Sequence, residues 1–318
     1  MPIYSSFLHR LDVISWRIFR FQLTKKDKSI RSSHLVCLKS SNQQEAYAEI
    51  SPLPGRSKET IDEALLQLIA VLKRKKTSSD LYPSVSFALA TALKQCSFSP
   101  IPLCALLSGS KQEIIEQALL AKHKGFSSAK IKISQFSLED AFFILNYLRK
   151  MFFLRVDANQ CFSFQEAMYF FEQFPPLAFD FIEEPTWETS RLADFSHPFG
   201  LDETLEKDPN FMFENLANCK AVVVKPMIQG FFTTKNLMQR LEKKRIQLIF
   251  SSSYESGLGL MQIARLAAQT KLYPLGLDTQ SLFTEDIVTP FPIFSYPICS
   301  CPFPAQIQTH LLQEIYCG

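Results

Sequence analysis

Apolar residues recur along this chain with two different periods. Between residues 11 and 50 they alternate in short strand-like stretches, clearest at Val13 to Phe21 and Leu35 to Leu38, and lead into Glu45-Ala-Tyr-Ala-Glu49-Ile50. Turn formers then cluster in Ser51-Pro52-Leu53-Pro54-Gly55, and Glu59 to Leu72 carries leucine and isoleucine at helical spacing. A second apolar helix is expected from Ser84 to Cys96. This pattern predicts a small α+β unit, a meander followed by helices.

From Ile101 the rhythm becomes regular. A strand at Ile101 to Leu107, a helix over Lys111 to Lys124, a strand at Ser128 to Ile133, a helix from Ser137 to Arg149 and a strand at Leu154 to Val156 follow in turn. Ser163-Phe-Gln-Glu166 has the form of a capping box before the next apolar helix. Further strands are predicted at Phe179 to Ile182, Ala221 to Val224 and Gln247 to Phe250, with a last strand end at Leu275-Gly-Leu-Asp278. Strand and helix in alternation predict an α/β fold with parallel strands closed into a barrel. The expected divisions are 1–99 for the α+β unit, 100–288 for the barrel, and 289–318 for a tail rich in proline and aromatic residues that packs back on the first unit.

Composition narrows the class. The chain has 318 residues, of which 47% are hydrophobic and 20% charged, enough for a barrel plus a smaller unit. No uninterrupted apolar run has membrane-spanning length, and Met1 to Phe7 has no basic and apolar leader pattern, so a soluble, cytoplasmic protein is expected. A net charge of +3 is too small to argue for a nucleic-acid partner, and the runs Lys73 to Lys76 and Lys243 to Arg245 read as solvated helix ends. The five histidines lack ligand spacing, and the eight cysteines read as reduced thiols, with Cys299-Ser-Cys301 the one close pair.

The chemistry sits at the predicted strand ends: Lys130-Ile-Lys132, Arg155-Val-Asp157-Ala-Asn159, Glu183-Glu184-Pro185, Asp202-Glu203, Lys225-Pro226 and Ser251-Ser252-Ser253. Carboxyl ends of consecutive barrel strands share one mouth, so these groups are expected to line one pocket. Alternation puts Lys130 and Lys132 on one side, where mutual repulsion would lower a lysine pKa; a pair of solvated surface lysines is the competing reading. Parity also admits only one of Glu183 and Glu184 to the pocket. Asp157, Glu183 and Asp202 are then three acids aimed at one point, which calls for a divalent cation, Mg²⁺ by oxygen-ligand preference. Lys225, across the mouth from Lys132, completes a set suited to removing a proton α to a carboxylate. The serines before the next helix read either as an amide cradle for a second carboxylate or as a helix cap, and Gly230 as a close approach to ligand or a turn.

In this order Lys-x-Lys, Asp-x-Asn, Glu-Glu-Pro, Asp-Glu and Lys-Pro resemble the muconate-cycloisomerase subgroup of the enolase superfamily. Ala48 to Gly55, Pro83 to Phe87, Arg155 to Asn159, Ala221 to Pro226, Ser251 to Leu260 and Gly276 to Thr279 carry the resemblance, which is nearest to the dehydrating synthases of menaquinone biosynthesis in their enteric-bacterial form. It implies an α+β capping domain over a modified TIM barrel, (β/α)₇β, with Mg²⁺ (Mn²⁺ as a substitute) on Asp157, Glu183 and Asp202. Lys132 is implied as the base and then the acid of a syn dehydration of 2-succinyl-6-hydroxy-2,4-cyclohexadiene-1-carboxylate, with Lys225 stabilising the enediolate. Lys130, Arg155, Asn159, Gly230, Ser251 and Ser252 are implied as substrate-binding or supporting groups. The partner is a small-molecule dicarboxylate, with neither nucleic acid nor membrane, and the chain is expected to be a monomer. Two departures stand out: the covering loop Thr24 to Arg31 is short and basic, and Phe231-Phe232 puts aromatics where a small polar residue is commoner. A racemase of N-acylamino acids or a dipeptide epimerase would use the same residues, and a non-catalytic binding protein on the same barrel is the third reading.

Overall fold

The computed structural model describes residues 13–73, 80–92, 99–290, 294–300 and 306–318. The first twelve residues, most of the basic run at 73–76, the end of the helix expected to reach Cys96, and Cys301 lie outside the described residues.

The N-terminal unit is built on one antiparallel sheet. Strands β1 (Val13–Thr24), β2 (Ile30–Ser40) and β3 (Glu45–Ile50) form the meander, and the C-terminal strand Gln313–Cys317 pairs antiparallel with the free edge of β1. Helix α1 (Ile61–Leu72) starts at a capping box in which the Thr60 side chain accepts from the Glu63 amide and Glu63 accepts from the Thr60 amide. Helix α2 (Pro83–Thr91) starts on a proline, whose missing N–H costs nothing in the first turn, one residue before the predicted Ser84. Trp16, Ile18, Val36, Ala48, Leu68 and Val85 bury one face of the sheet against the two helices.

The second unit is a closed ring of parallel strands. Strands β4 (Cys104–Leu107), β5 (Ser128–Lys132), β6 (Phe153–Asp157), β7 (Phe181–Glu183), β8 (Phe199–Leu201), β9 (Cys219–Val224) and β10 (Gln247–Phe250) follow one another in space as in sequence. An eighth segment closes the ring, because Gly276 N donates to Phe250 O at 2.9 Å while Cys104 N donates to Leu275 O at 2.8 Å. Helices α3 (Lys111–His123), α4 (Leu138–Leu148), α5 (Phe164–Phe171), α6 (Glu203–Lys207), α7 (Pro226–Leu241) and α8 (Gly257–Ala267) cover the outside, and one short 3₁₀ helix, Thr189–Asp194, stands between β7 and β8. The fold is the (β/α)₇β barrel with a capping domain. Among the described residues no helix is long and apolar enough to cross a membrane.

The cap is fastened to the barrel by apolar and polar contacts. Phe21, Leu23, Leu35 and Phe87 of the N-terminal unit belong to the barrel's own buried core. Arg31, buried at the start of β2, donates to the carbonyls of Ser51 (2.6 Å) and Pro52 (2.8 Å) and reaches that of Ser253 at 3.4 Å. Glu49 of β3 accepts from the backbone N–H of Ser256 (3.1 Å) and of Gly259 (3.1 Å) at the N-terminus of α8, where exposed amides favour an anion. Burial pushes the Glu49 carboxyl up to about 7; the hydrogen bonds from Ser256 oppose that shift, and the charges of Glu255 and Asp286 add to it. Between its ordinary value and about 7 the folded chain therefore holds a proton that the unfolded chain has lost, and stability falls as pH rises through that window. Urea unfolding at pH 5 and pH 8 should show a loss on the order of 2–3 kcal/mol from this group. Glu49→Gln should reduce the loss by that amount, leaving the slopes of the other acids that burial raises: Asp286 to about 6, Glu206 to about 7 and Glu183 to about 8.

Candidate active site

Register brings the predicted groups together. Lys132 pairs across the sheet with Asp157, and Asp157 with Glu183, so three of the expected residues lie in one row at the carboxyl ends of β5, β6 and β7. Asp202 follows β8 and Lys225 follows β9. Counted round the ring of eight, Lys132 and Lys225 are four strands apart and face each other across the mouth. The pocket there is lined by Lys130, Lys132, Arg155, Glu183, Lys225, Ser251 and Ser252, with Leu53 and Arg56 contributed by the cap.

The three acids are buried, and lysine heads stand between them. Lys130 Nζ lies 2.7 Å from both oxygens of Glu183 and 2.9 Å from Asp157 Oδ2. Lys225 forms a short hydrogen bond to Asp202 Oδ2. Among the described residues no three His, Cys, Asp or Glu side chains close into a ready metal cluster. The three acids expected to aim at one point are thus balanced by ammonium groups. The donor set still suits a hard divalent cation: three carboxylates on adjacent strands, with Asp202 Oδ1 buried and without a hydrogen-bond partner.

Electrostatics overturn one expectation. For Lys130, burial would lower the pKa, but Asp157, Glu183 and Asp202 outweigh it and raise it above the ordinary lysine value. Lys130 is thereby held as a permanent counter-ion, and repulsion from Lys132 does not decide its state. Lys132 is set apart from it: its side chain is 47% exposed, 3.9 Å from Asp157 Oδ2. Burial and the charge of Asp157 push Glu183 up to about 8, whereas for Asp202 burial is outweighed by Lys225 and Lys130, which hold it below the usual carboxylate range.

Parity resolves the glutamate pair as expected and reveals a further role. Glu184, at φ 47°, turns away from the pocket and accepts from the backbone N–H of Asp202 (2.6 Å) and of Thr204 (2.8 Å). It sets the backbone that presents Asp202. The Glu-Glu doublet itself carried this signal, since an inward acid followed by an outward one obliges the second to find donors.

Other candidates sit differently. Arg155 is buried in the barrel, with Nε on Asp180 at 3.1 Å, Nη1 on the Pro274 carbonyl at 2.8 Å, and Nη2 without a hydrogen-bond partner. Asn159 donates its backbone N–H to Asp157 Oδ1 at 3.1 Å and stays outside the pocket lining. Gly230 is also outside it: at φ +81° it lets α7 pack on α2, where an added Cβ would come within 2.9 Å of Ser86 Oγ. Phe231 packs on the barrel core and Phe231-Phe232 lie outside the pocket lining, so the aromatics do not narrow it. The covering loop is a tight turn, with Lys25 N donating to Ser29 O and Lys26 N to Leu282 O, both at 2.8 Å.

The serine loop does not offer a free amide cradle. Ser252 N donates to Gly276 O (3.0 Å), Ser253 N to Glu255 (2.7 Å), Tyr254 N to Ser252 Oγ (3.1 Å), Ser256 N to Glu49, and Gly257 N to Asp286 (2.8 Å). The protein's own carboxylates, Glu49 and Asp286, occupy the start of α8, and Ser256 at its N-cap makes no side-chain capping hydrogen bond, so the serines form neither the cradle nor the cap. Sequence reasoning also missed Arg56, which meets Glu203 at 3.0 Å and Glu206 at 2.5 Å; it lies in a turn, where no period marks a functional side chain.

Comparison with known proteins agrees with this architecture. Residues 113–295 match the enolase C-terminal domain-like family, and residues 16–96 match the MenC N-terminal domain. The chain is 31% identical to the o-succinylbenzoate synthase of Vibrio cholerae serotype O1, over 88% of this chain and 94% of that protein. It is also 31% identical to the o-succinylbenzoate synthase of Salmonella arizonae, over 84% and 88%. Among solved structures, the N-succinyl Arg/Lys racemase of Bacillus cereus superposes with a TM-score of 0.78 at 16% identity, covering 96% of this chain and 99% of that one, which speaks for the fold alone. Two family matches in order along the chain, and this identity over nearly its whole length, place it: the chain belongs to the o-succinylbenzoate synthase family of the enolase superfamily.

Proposed function

We infer that the chain is an o-succinylbenzoate synthase, a hydro-lyase of menaquinone biosynthesis that dehydrates 2-succinyl-6-hydroxy-2,4-cyclohexadiene-1-carboxylate. The carrying observation is the placement of Lys132 and Lys225 at the carboxyl ends of strands on opposite sides of the mouth, with Asp157, Glu183 and Asp202 between them. As a free amine, Lys132 removes the proton α to the ring carboxylate, and the electron pair passes into an enediolate. Lys225, facing it, stabilises the added negative charge. The ammonium of Lys132 then returns its proton to the departing hydroxyl on the same face, so water leaves and the ring becomes aromatic. Only one lysine moves a proton, which makes the substrate and not the lysine pair the difference from a racemase.

Asp157, Glu183 and Asp202 are the proposed holders of Mg²⁺, or Mn²⁺ in its place, which when bound neutralises charge on the substrate carboxylate. Lys130 supports the acids, and Ser251, which lines the pocket and whose hydroxyl donates to Gly276 O at 3.3 Å, is the proposed contact for the succinyl carboxylate, with Ser252, paired through its hydroxyl to Thr279 at 2.6 Å, beside it. Arg155 and Asn159 act as supports for the wall and for Asp157. We further propose a monomeric cytoplasmic enzyme with cap boundaries at 1–99 and 289–318 around a barrel at 100–288; the pairing of residues 313–317 with β1 supports the assignment of the tail.

Four measurements bear on this reading. Purified protein with Mg²⁺ should dehydrate the cyclohexadiene substrate, followed by loss of diene absorbance, and chelation should abolish turnover. Lys132→Ala should lower kcat by about 10²–10⁴-fold, the usual contribution of a general base, while leaving the unfolding midpoint unchanged. Full turnover by that variant would overturn the mechanism, and α-proton exchange into N-succinyl amino acids at a comparable rate would favour a racemase. Lys130→Met should cost the metal-free fold about 3–5 kcal/mol in urea unfolding, as breaking a buried pair does, with Mg²⁺ recovering part of it.

A further inference from the structure

One carboxylate at the mouth is not accounted for by the reading above. Glu206 lies on α6, one turn after Asp202, and its Oε2 accepts from Arg56 Nη2 at 2.5 Å and Nε at 3.0 Å. Its other oxygen, Oε1, is buried and without a hydrogen-bond partner, and faces Lys225 Nζ at 3.8 Å. Arg56 also donates Nη1 to Glu203 Oε1 at 3.0 Å and passes 3.9 Å from Asp202 Oδ2. Lys225 therefore has two acids within reach, one in hydrogen bond and one a small displacement away.

That displacement matters once Asp202 is given over to a cation. An ammonium that stays on Asp202 Oδ2 competes for the same oxygen, and one released to solvent leaves the substrate face. Glu206 offers the alternative, and it is held still: its side chain is 10% exposed and anchored by a guanidinium from the other unit of the protein. An exposed ion pair would contribute little to such a preference, but a largely buried one discriminates between positions.

We propose that Glu206, clamped by Arg56, is the second seat of Lys225, receiving its ammonium when a divalent cation occupies Asp202. The proposal rests on the reading of Asp202 as a metal ligand. Glu206 is a positioning residue that acts through Lys225, and Arg56 one that holds Glu206 in place while lying 3.9 Å from Asp202 Oδ2. The cap thereby contributes to cation affinity from a turn that contacts no proposed ligand in hydrogen bond.

Calorimetric titration with Mg²⁺, without substrate, tests this apart from turnover. Glu206→Gln should weaken Mg²⁺ binding about five- to tenfold, the range of a coupled contact pair. In a Lys225→Met background, or Lys225→Gln if the first does not fold, the same change should alter affinity less than about twofold. Arg56→Ala should resemble Glu206→Gln, Arg56→Lys should restore most of the affinity, and the Arg56→Ala, Glu206→Gln pair should be no weaker than either alone. Equal weakening with and without Lys225 would show a bare charge effect and overturn the proposal, as would indifference of wild-type binding to Glu206→Gln. Absence of Mg²⁺ binding by the wild type would instead bring down the metal reading on which it rests.

Discussion

Burying three carboxylates at the end of one barrel is the constraint that organises this protein. Removing an ion from water costs several kcal/mol even after relaxation, and Asp157, Glu183 and Asp202 do so side by side. Lys130 and Lys225 offset that cost: Lys130 bridges two acids and Lys225 closes on the third. Lys132 is the lysine that remains half-exposed to the pocket. The difference between a fully paired and a half-exposed lysine two residues apart on one strand follows from which of them sits deeper among the acids.

The cap meets the barrel through a small set of polar anchors placed round that mouth. Arg31 reaches the serine loop, Glu49 the start of α8, Arg56 the helix after Asp202, and Gln262 of α8 donates back to Thr91 at 2.8 Å. The first three of these anchors lie within a turn of a group lining the pocket. Cap and barrel are consequently held in register by contacts whose loss would disturb the mouth directly.

The barrel, its strand order and the acid and lysine positions were legible because each depends on a local regularity. Alternation and turn formers mark β1 to β3, and the strand–helix repeat marks the ring. Three capping boxes, at Thr60, Ser110 and Ser163, mark helix starts, of which only the last was read from the sequence. Less legible was how charge is shared. Lys130 and Lys132 have the same neighbours along the strand, and their different depths follow from the pairing of β5 with β6 and from the acids beyond it. The roles of Gly230 and of the serine loop depended on contacts from α2 and β3, far away in sequence, so both of the readings offered for each were locally sound.

The occupied amides around the serine loop carry a consequence for how such a barrel changes over time. Since the backbone N–H groups of Ser252, Ser253, Tyr254, Ser256 and Gly257 already serve internal acceptors, and Glu49 and Asp286 fill the helix start, the main chain has little left with which to recognise a new ligand. Substrate preference can then drift only through side chains such as Ser251, Tyr254 and Leu53 that project into the cavity. Divergence in this scaffold would proceed by single substitutions over an unchanged frame, leaving the proton-transfer chemistry inherited while the molecules it acts on are exchanged.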